Sequence, residues 1–248
     1  MQIKSLEELQ EAVNKGQNDQ IISVNIFVYN EEIHEKFDSC MKQNLINLFL
    51  PNCTVFEINC FNVGIIDLPK AKEISIYHSY VQKINSSSCE TFTSDFTLGL
   101  REISLENCKT ANICSSQGLR SIYLPKCTYF KCNEIKLISI IELPEVTEIV
   151  CFSSSFKTII APKCETITFL CSEMKDFESE TVKKMECNSC TFKNIIIPIC
   201  EKMYLTDTKV DYVYGPKIVE SNVALPTFVD NLYVEENIEN VLNLFIKT

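Results

Sequence analysis

Residues 100–127 read LREISLENCKTANICSSQGLRSIYLPKC, and one pattern occurs twice within this stretch. Three aliphatic residues are followed by a cysteine at the spacing L-x-x-I-x-L-x-x-C, first from Leu100 to Cys108 and then from Leu119 to Cys127. A pattern that returns after a short fixed interval is typical of solenoids, in which each repeat forms one coil stacked on the next. The pattern therefore predicts a repeat protein.

The same register extends outward in both directions. Allowing aliphatic substitutions, eleven copies begin at residues 45, 63, 81, 100, 119, 138, 156, 174, 192, 210 and 229, at intervals of 18 or 19. Because alternate side chains of a strand face opposite ways, the second and third apolar positions of each copy point inward. A second apolar alternation follows the cysteine position in most copies. We therefore predict a mainly β solenoid of about eleven short coils, with parallel sheets on both faces. We expect the second sheet to be rougher, that is, less regular, than the first.

This pattern resembles the leucine-rich repeat superfamily over residues 45–237. The Pro that follows many of the first strands makes it most similar to the BspA-like subgroup; such prolines are Pro51, Pro69, Pro125, Pro144, Pro162, Pro198 and Pro216. The resemblance implies a right-handed solenoid that binds a partner protein on the exposed face of the first sheet. One feature departs from the family, because repeats of 18 or 19 residues are shorter than the usual ~20 to 29 and leave no room for an outer helix.

The two ends differ from the repeats. Ser5 and Glu8 form a capping-box signature before a helical stripe, and Ile21 begins an apolar alternation. We predict an N-terminal cap of helix and strand over residues 1–44, the solenoid over 45–237, and a helical cap over 238–248. Such caps would cover exposed sheet edges, which otherwise invite aggregation.

Fourteen cysteines are the most conspicuous feature of the composition. Six occupy the cysteine position of the repeat, and three more occupy an inward position of the second strand: Cys53, Cys89, Cys108, Cys127, Cys164, Cys200, then Cys132, Cys151 and Cys187. We interpret them as buried reduced thiols, since cysteine behaves as a small hydrophobe. Two alternatives stay open: disulfides between neighbouring coils, such as Cys108 with Cys127, and a zinc site at Cys187-x-x-Cys190 with Cys171.

The composition argues against some classes of binding partner. Hydrophobic residues make up 46% of the chain, and the formal net charge of -10 argues against nucleic acid or anionic membranes as partners. No apolar run reaches the ~18 residues of a membrane span, and the N-terminus lacks the apolar stretch of a signal peptide. We therefore expect a cytoplasmic protein, with no cofactor and no metal.

Two sets of outward positions are candidates for partner binding. Tyr212, Tyr214 and Tyr233 fall on adjacent predicted strands, and Tyr123 occupies an equivalent outward position. Tyrosine offers a large contact area and a polar tip at low entropic cost, although cross-strand packing would explain it equally. The other set forms a basic stripe that could face an acidic partner or be a solvated edge: Arg101, Arg120, Lys157, Lys175 and Lys193.

The resemblance favours a non-enzymatic scaffold that binds another protein on the exposed sheet face. The alternatives are an adhesin for extracellular or host components and a β-solenoid enzyme that acts on carbohydrate. An enzyme of that kind needs two neighbouring carboxylates, for which Asp176, Glu178 and Glu142 are loose candidates. The chain has two histidines and no G-x-S-x-G, H-E-x-x-H or Gly-rich phosphate loop, so we predict no catalytic residues.

Overall fold

The computed structural model describes residues 1–26, 46–116, 118–215, 217–224 and 227–233. The chain divides into two compact units, Met1–Lys126 and Cys127–Thr248, and the boundary falls inside the predicted solenoid of residues 45–237. Each unit consists of stacked coils of about 18 residues, and the coils number about eleven in all. The predicted fold class, a mainly β solenoid with parallel sheets, is confirmed.

Over residues 46–224, each coil contributes two strands. We call the sheet built from the first strands, which carry the L-x-x-L-x-L pattern, the motif sheet, and the sheet built from the second strands the companion sheet. In the first unit the motif strands are β3 (Ile46–Phe49), β5 (Asn62–Asp67), β7 (Tyr80–Ser86), β9 (Glu102–Leu105) and β11 (Ser121–Tyr123). The companion strands are β1 (Gln2–Ile3), β2 (Ser23–Ile26), β4 (Val55–Asn59), β6 (Glu73–Tyr77), β8 (Thr91–Asp95) and β10 (Thr110–Cys114).

The second unit repeats this arrangement. Its motif strands are β13 (Lys136–Glu142), β15 (Ser155–Ile160), β17 (Glu173–Glu178), β19 (Thr191–Ile196), β21 (Lys209–Tyr214) and β23 (Phe228–Tyr233). Its companion strands are β12 (Tyr129–Asn133), β14 (Glu148–Phe152), β16 (Thr166–Leu170), β18 (Thr181–Asn188), β20 (Ile199–Thr206) and β22 (Lys217–Ala224). In both units each strand pairs in parallel with the equivalent strand of the next coil.

The companion sheet is the more regular of the two, so the prediction that it would be the rougher is wrong. Its β14 and β16 pair through five consecutive residues, from Glu148 with Thr166 to Phe152 with Leu170. The motif strands instead interrupt the alternation, because Lys175 and Asp176 both lie outside the core between buried Met174 and Phe177. Two residues separate the first two apolar positions of the pattern, and this spacing causes the local irregularity.

The core of each unit lies between its two sheets. Where side chains are described, the inward positions predicted for both strands are buried. In the second unit, Phe169 of the companion sheet contacts two motif-strand rings edge-on. Its ring centroid lies 5.7 Å from that of Phe177 and 5.7 Å from that of Phe192. Such edge-to-face aromatic pairs add stability beyond the area they bury. The interior is thus a continuous apolar layer, as the spacing predicts.

A proline follows several motif strands at the point where the coil turns. In the coil that begins at residue 156, β15 ends at Ile160, and Pro162 follows within a tight turn closed by the amide of Cys164 and the carbonyl of Ala161 at 3.1 Å. Proline fits the second position of such a turn because its φ is already fixed near the required value. The turn then delivers the cysteine position to the interior.

The opposite turn of the coil contains a feature that the sequence did not reveal. Nine residues, none of them glycine, adopt a positive φ at one equivalent position in successive coils: Cys60, His78, Phe96, Ser115, Glu134, Ser153, Cys171, Ser189 and Asp207. Left-handed backbone costs ordinary residues ~1–2 kcal/mol each. The residue that follows compensates in part, because it is usually a buried hydroxyl or thiol: Ser79, Thr97, Ser116, Ser154, Ser172, Cys190 and Thr208.

Ser154 shows what these side chains do. Its Oγ donates to the carbonyl of Phe152 at 2.7 Å and accepts from the amide of Ile135, one coil earlier, at 3.2 Å. Ser172 repeats the pattern, donating to the carbonyl of Leu170 at 2.9 Å and accepting from the amide of Ser154 at 3.3 Å. These hydroxyls satisfy backbone groups that the turn would otherwise bury unpaired, which is costly.

Glycine at the left-handed position should stabilise the protein. Ser153 has a φ of 45° and an exposed side chain, so Ser153→Gly is expected to raise the free energy of unfolding by about 0.5–1 kcal/mol, after the entropic cost of glycine is subtracted. Thr168→Gly in the middle of β16 is the control and should lower it by about 1 kcal/mol. Denaturant unfolding of the two variants measures the difference; destabilisation by Ser153→Gly would contradict the assigned turn.

The N-terminal cap contains helix α1 (Leu6–Asn14), which begins after Ser5. The Ser5 side chain accepts from the amide of Glu8 at 3.2 Å, as the capping box predicts, while Glu8 accepts from the amide of Lys4 at 2.8 Å. A 3-10 turn at Asn18–Gln20 then leads into β2. The rest of the predicted N-terminal cap and the whole helical cap at 238–248 lie outside the described residues.

Candidate functional site

The outward face of the motif sheet in the second unit carries the predicted tyrosines. On β21, Val210 and Val213 are buried, whereas Tyr212 is 36% exposed and Tyr214 is half-buried. Tyr212 lies opposite Asn194 of β19, and Tyr214 lies opposite Tyr233 of β23. The structure therefore brings the three predicted positions onto two adjacent strands; the side chain of Tyr233 lies outside the described part.

Tyr214 belongs to a row that runs across the sheet. The register places Ile160, Glu178, Ile196 and Tyr214 opposite one another on successive strands. All four side chains are half-buried, so each covers part of its neighbours while one edge remains accessible. We call Ile196, Tyr212 and Tyr214 the tyrosine surface. It offers apolar and aromatic contact area on rigid strands rather than on loops.

A polar ladder borders the tyrosine surface. Asp176 accepts hydrogen bonds from Thr158 Oγ1 at 3.3 Å and from Asn194 Nδ2 at 2.6 Å, and the Nζ of Lys175 lies 3.8 Å from its Oδ2. Both carboxylate oxygens thus have partners in adjacent strands or from the neighbouring residue. Thr158 is buried, since it supports this ladder. The arrangement gives Asp176 a structural role.

The lysines of the basic stripe occupy equivalent positions in the second unit. Lys157 and Lys175 follow the paired residues Phe156 and Met174, and Lys193 has the same place on β19. All three side chains are exposed. The structure therefore groups these three residues in a single row across adjacent strands.

The two arginines of the stripe lie in the first unit. The amide of Arg120 donates to the carbonyl of Arg101 at 2.8 Å, so these residues are neighbours on successive coils. Lys83, and to a smaller extent Arg120, lowers the pKa of the Glu102 carboxyl, because Lys83 Nζ lies 2.8 Å from it. Arg120 thus has an acidic neighbour of its own.

Tyr123 also lies in the first unit. It is 55% exposed and lies opposite Ser104 on the neighbouring strand β9. Asn85 and Asp67 continue its row on β7 and β5. Tyr123 therefore stands among polar side chains and has no aromatic neighbour in the described part of its row before Phe49.

The six cysteines at the cysteine position of the repeat, which we call the column cysteines, are buried. Their thiols form the same hydrogen bond in each coil. Each of the six donates to the carbonyl of the residue two positions later, at distances from 3.1 to 3.5 Å: Cys53, Cys89, Cys108, Cys127, Cys164 and Cys200. Burial raises the pKa of Cys53 to about 11 and the pKa values of Cys164 and Cys200 to about 12. These thiols are consequently protonated and unreactive at neutral pH.

The alternatives to buried thiols find no support in the described part of the chain. Every described cysteine, that is all except Cys40, is a free thiol. Cys190 is buried and donates to the carbonyls of Asn188 and Phe169 at 3.2 and 3.3 Å, whereas Cys171 is exposed. The described residues contain no group of three or more His, Cys, Asp or Glu side chains placed to bind a metal.

No protein-family model, no curated protein and no solved structure matches this chain. None of the helices in the described residues has the length and apolar character needed to cross a bilayer.

Proposed function

We propose that the protein is a non-enzymatic scaffold that binds a partner protein through the tyrosine surface of its second unit. The observation that carries the proposal is the register of β19, β21 and β23, in which Ile196, Tyr212 and Tyr214 share one outward face and Tyr233 continues their row. Tyrosines are enriched at protein interfaces because the ring supplies contact area and the hydroxyl a hydrogen bond. The tyrosine surface offers both the contact area and the hydroxyl groups.

Rigidity supports the proposal further. Parallel strand pairing fixes the backbone of the three residues before any partner arrives, and half-burial already restricts the Ile196 and Tyr214 side chains. Binding therefore loses little conformational entropy on this side of the interface, which increases the affinity obtained from a given contact area. Asp176 and its partners hold the polar border of the surface in place.

We also propose that the solenoid is of the leucine-rich repeat type, similar to the BspA-like subgroup, and that the protein is cytoplasmic. The inward L-x-x-L-x-L positions and the cysteine thiols that bond to the turn support the first statement. The interior column of free thiols supports the second, since reduced thiols are characteristic of reducing compartments.

Capture of partners from native cell lysate tests the proposed function. A Tyr212→Ala/Tyr214→Ala variant is expected to lose a partner that the wild type retains, with affinity for the purified partner weakened about tenfold or more. Val219→Ala is the matched control, because Val219 is 80% exposed on the companion sheet of the same unit. The partner should bind this control normally.

Two results would overturn the proposal. The first is an identical set of partners for the wild type and the tyrosine variant. The second is turnover in a screen of glycan substrates, which would favour the carbohydrate-active alternative. Asp176→Asn would then identify whether the polar ladder takes part.

A further inference from the structure

The starts of the motif strands in the second unit form a shallow groove beside the tyrosine surface. Lys175, Lys193 and Lys209 line a cavity of about 300 Å³ whose lining also includes the mostly buried Met174 and Phe192. Lys157 continues the row of Lys175 and Lys193 on the adjacent strand. We call these four lysines the lysine groove.

Lys157, Lys175 and Lys193 place like charges next to one another in the free protein. Adjacent strands lie ~4.8 Å apart, so the lysines at equivalent positions place like charges side by side. Like charges directly opposite each other on neighbouring strands destabilise a sheet. The fold holds them there nonetheless, because the same strands bury Phe156, Met174 and Phe192 next to them.

Three other lysines of this unit have close carboxylate partners. Lys163, Lys183 and Lys184 each pair with a carboxylate, at 2.7 Å from Glu145, 2.8 Å from Glu165 and 2.8 Å from Glu186. Within the described residues, by contrast, Lys157, Lys193 and Lys209 form no ion pair, and Lys175 has only the 3.8 Å contact with Asp176. Lysines without a close ion pair are therefore concentrated in this groove.

The groove also contains two carboxylates. Glu173 and Asp211 also line the cavity, Glu173 exposed and Asp211 half-buried. Four ammonium groups thus face two carboxylates on a chain whose net charge is -10. A continuous polyanion would be repelled by both carboxylates and by the acidic remainder of the chain. A ligand with separated negative charges could contact the lysines and keep those charges away from Glu173 and Asp211.

The geometry points to an acidic, extended segment of a partner protein as the occupant of the lysine groove, with carboxylates spaced by residues that carry hydrogen-bond donors. This inference rests on the proposed function, since it describes the chemistry of the partner beside the tyrosine surface. Four strands span ~15 Å, which about five extended residues would cross. Donors between the carboxylates would face Glu173 and Asp211.

Binding of a fluorescent peptide of about eight residues, alternating Glu and Ser, tests the inference in the full-length protein. The groove variant Lys157→Gln/Lys193→Gln/Lys209→Gln is compared with the control variant Lys163→Gln/Lys183→Gln/Lys184→Gln. Both lose three positive charges, but the control removes lysines that already have partners. We expect the groove variant to bind the peptide about tenfold more weakly and the control less than about twofold.

Thermal unfolding of the same two variants tests the electrostatic premise without a ligand. The groove variant should be at least as stable as the wild type because repulsion is removed, and the control should be slightly less stable because ion pairs are lost. A groove variant that unfolds at a lower temperature than the control would contradict the premise.

Other outcomes separate this inference from the proposed function. Equal loss of peptide binding in both variants, no saturable binding, or stronger competition by inorganic polyphosphate than by unlabelled peptide would overturn the acidic-segment inference. Loss of the captured partner in the tyrosine variant would still support the proposed function in each of those cases. Conversely, peptide binding that persists while capture is unaffected by the tyrosine variant would refute the tyrosine surface alone.

Discussion

Stability should fall steeply above pH 9, until the protein unfolds. Burial raises the pKa of Cys53 from 9.0 to about 11 and the pKa values of Cys164 and Cys200 from 9.0 to about 12. In the unfolded chain these thiols lose their protons near the ordinary value, so a rising pH favours the unfolded chain from about pH 9 upward. The window ends near pH 11 for Cys53 and near pH 12 for Cys164 and Cys200. Below that window both states are protonated, and these thiols contribute no pH dependence.

The expected effect is large because several thiols act together. Each such group lowers the free energy of unfolding by ~1.4 kcal/mol per pH unit within its window, so three lower it by ~4 kcal/mol per unit. A domain has only ~5–15 kcal/mol in total. Other thiols act in the same direction: a hydrogen bond with Cys89 and burial raise the pKa of Cys108, and burial beside Cys132 raises that of Cys151.

The repeat itself supplies a matched variant. Val146 and Val182 occupy the same column as Cys164 and Cys200, so Cys164→Val/Cys200→Val should be tolerated at neutral pH, at a cost below ~1.5 kcal/mol. Urea unfolding at about pH 8, 9.5 and 10.5 should then show a shallower alkaline loss for the variant than for the wild type. Wild-type stability that is constant over this range, or equal slopes for the two proteins, would contradict the buried-thiol interpretation.

The coil register could be predicted from the sequence because inward positions recur at a fixed interval. Ile103, Ile122 and Ile159 are buried as the spacing requires, and the cysteine column follows them inward. The adjacency of Tyr212, Tyr214 and Tyr233 followed from the same interval, since equivalent positions of stacked coils must be neighbours.

Other features could not be predicted because no residue type identifies them. The left-handed turn position is occupied by Cys, His, Phe, Ser, Glu or Asp in different coils, so it lacks the glycine that usually marks such a turn. The hydroxyl after it did leave a signal, since Ser154 and Ser172 recur at the coil interval. That signal was weaker than the aliphatic pattern and was missed.

The candidate site was predicted only in part, for a related reason. Lys209 joins the lysine groove from the residue before the first apolar position, one row away from Lys175 and Lys193, so the stripe did not include it. The engagement of Asp176 by Thr158 and Asn194 depends on side-chain directions that repeat spacing does not specify. Positions could be predicted, but contacts between rows could not.

The rates at which the cysteines of the native protein are alkylated should fall into two classes that differ by orders of magnitude. Cys171 is exposed on its turn, whereas Cys53, Cys127 and Cys164 are fully buried. Alkylation of a buried thiol requires the coil to open, and an opening free energy of ~3 kcal/mol already slows the reaction about a hundredfold. The raised pKa of Cys164 adds to this protection, because the thiolate is the reacting species.

A one-residue slip in the register would turn each of these side chains to the opposite face. The pattern of protected and reactive cysteines therefore reports the coil register itself, together with the redox state of every thiol.

Timed alkylation of the native protein, with each cysteine followed by mass spectrometry, tests the coil structure most directly. We predict rapid labelling of Cys171, protection of all six column cysteines, and fourteen modified thiols when the unfolded protein is alkylated without a reductant. Column cysteines that react as fast as Cys171, or fewer than fourteen modified thiols in the unfolded chain, would contradict a solenoid built around a column of free buried thiols.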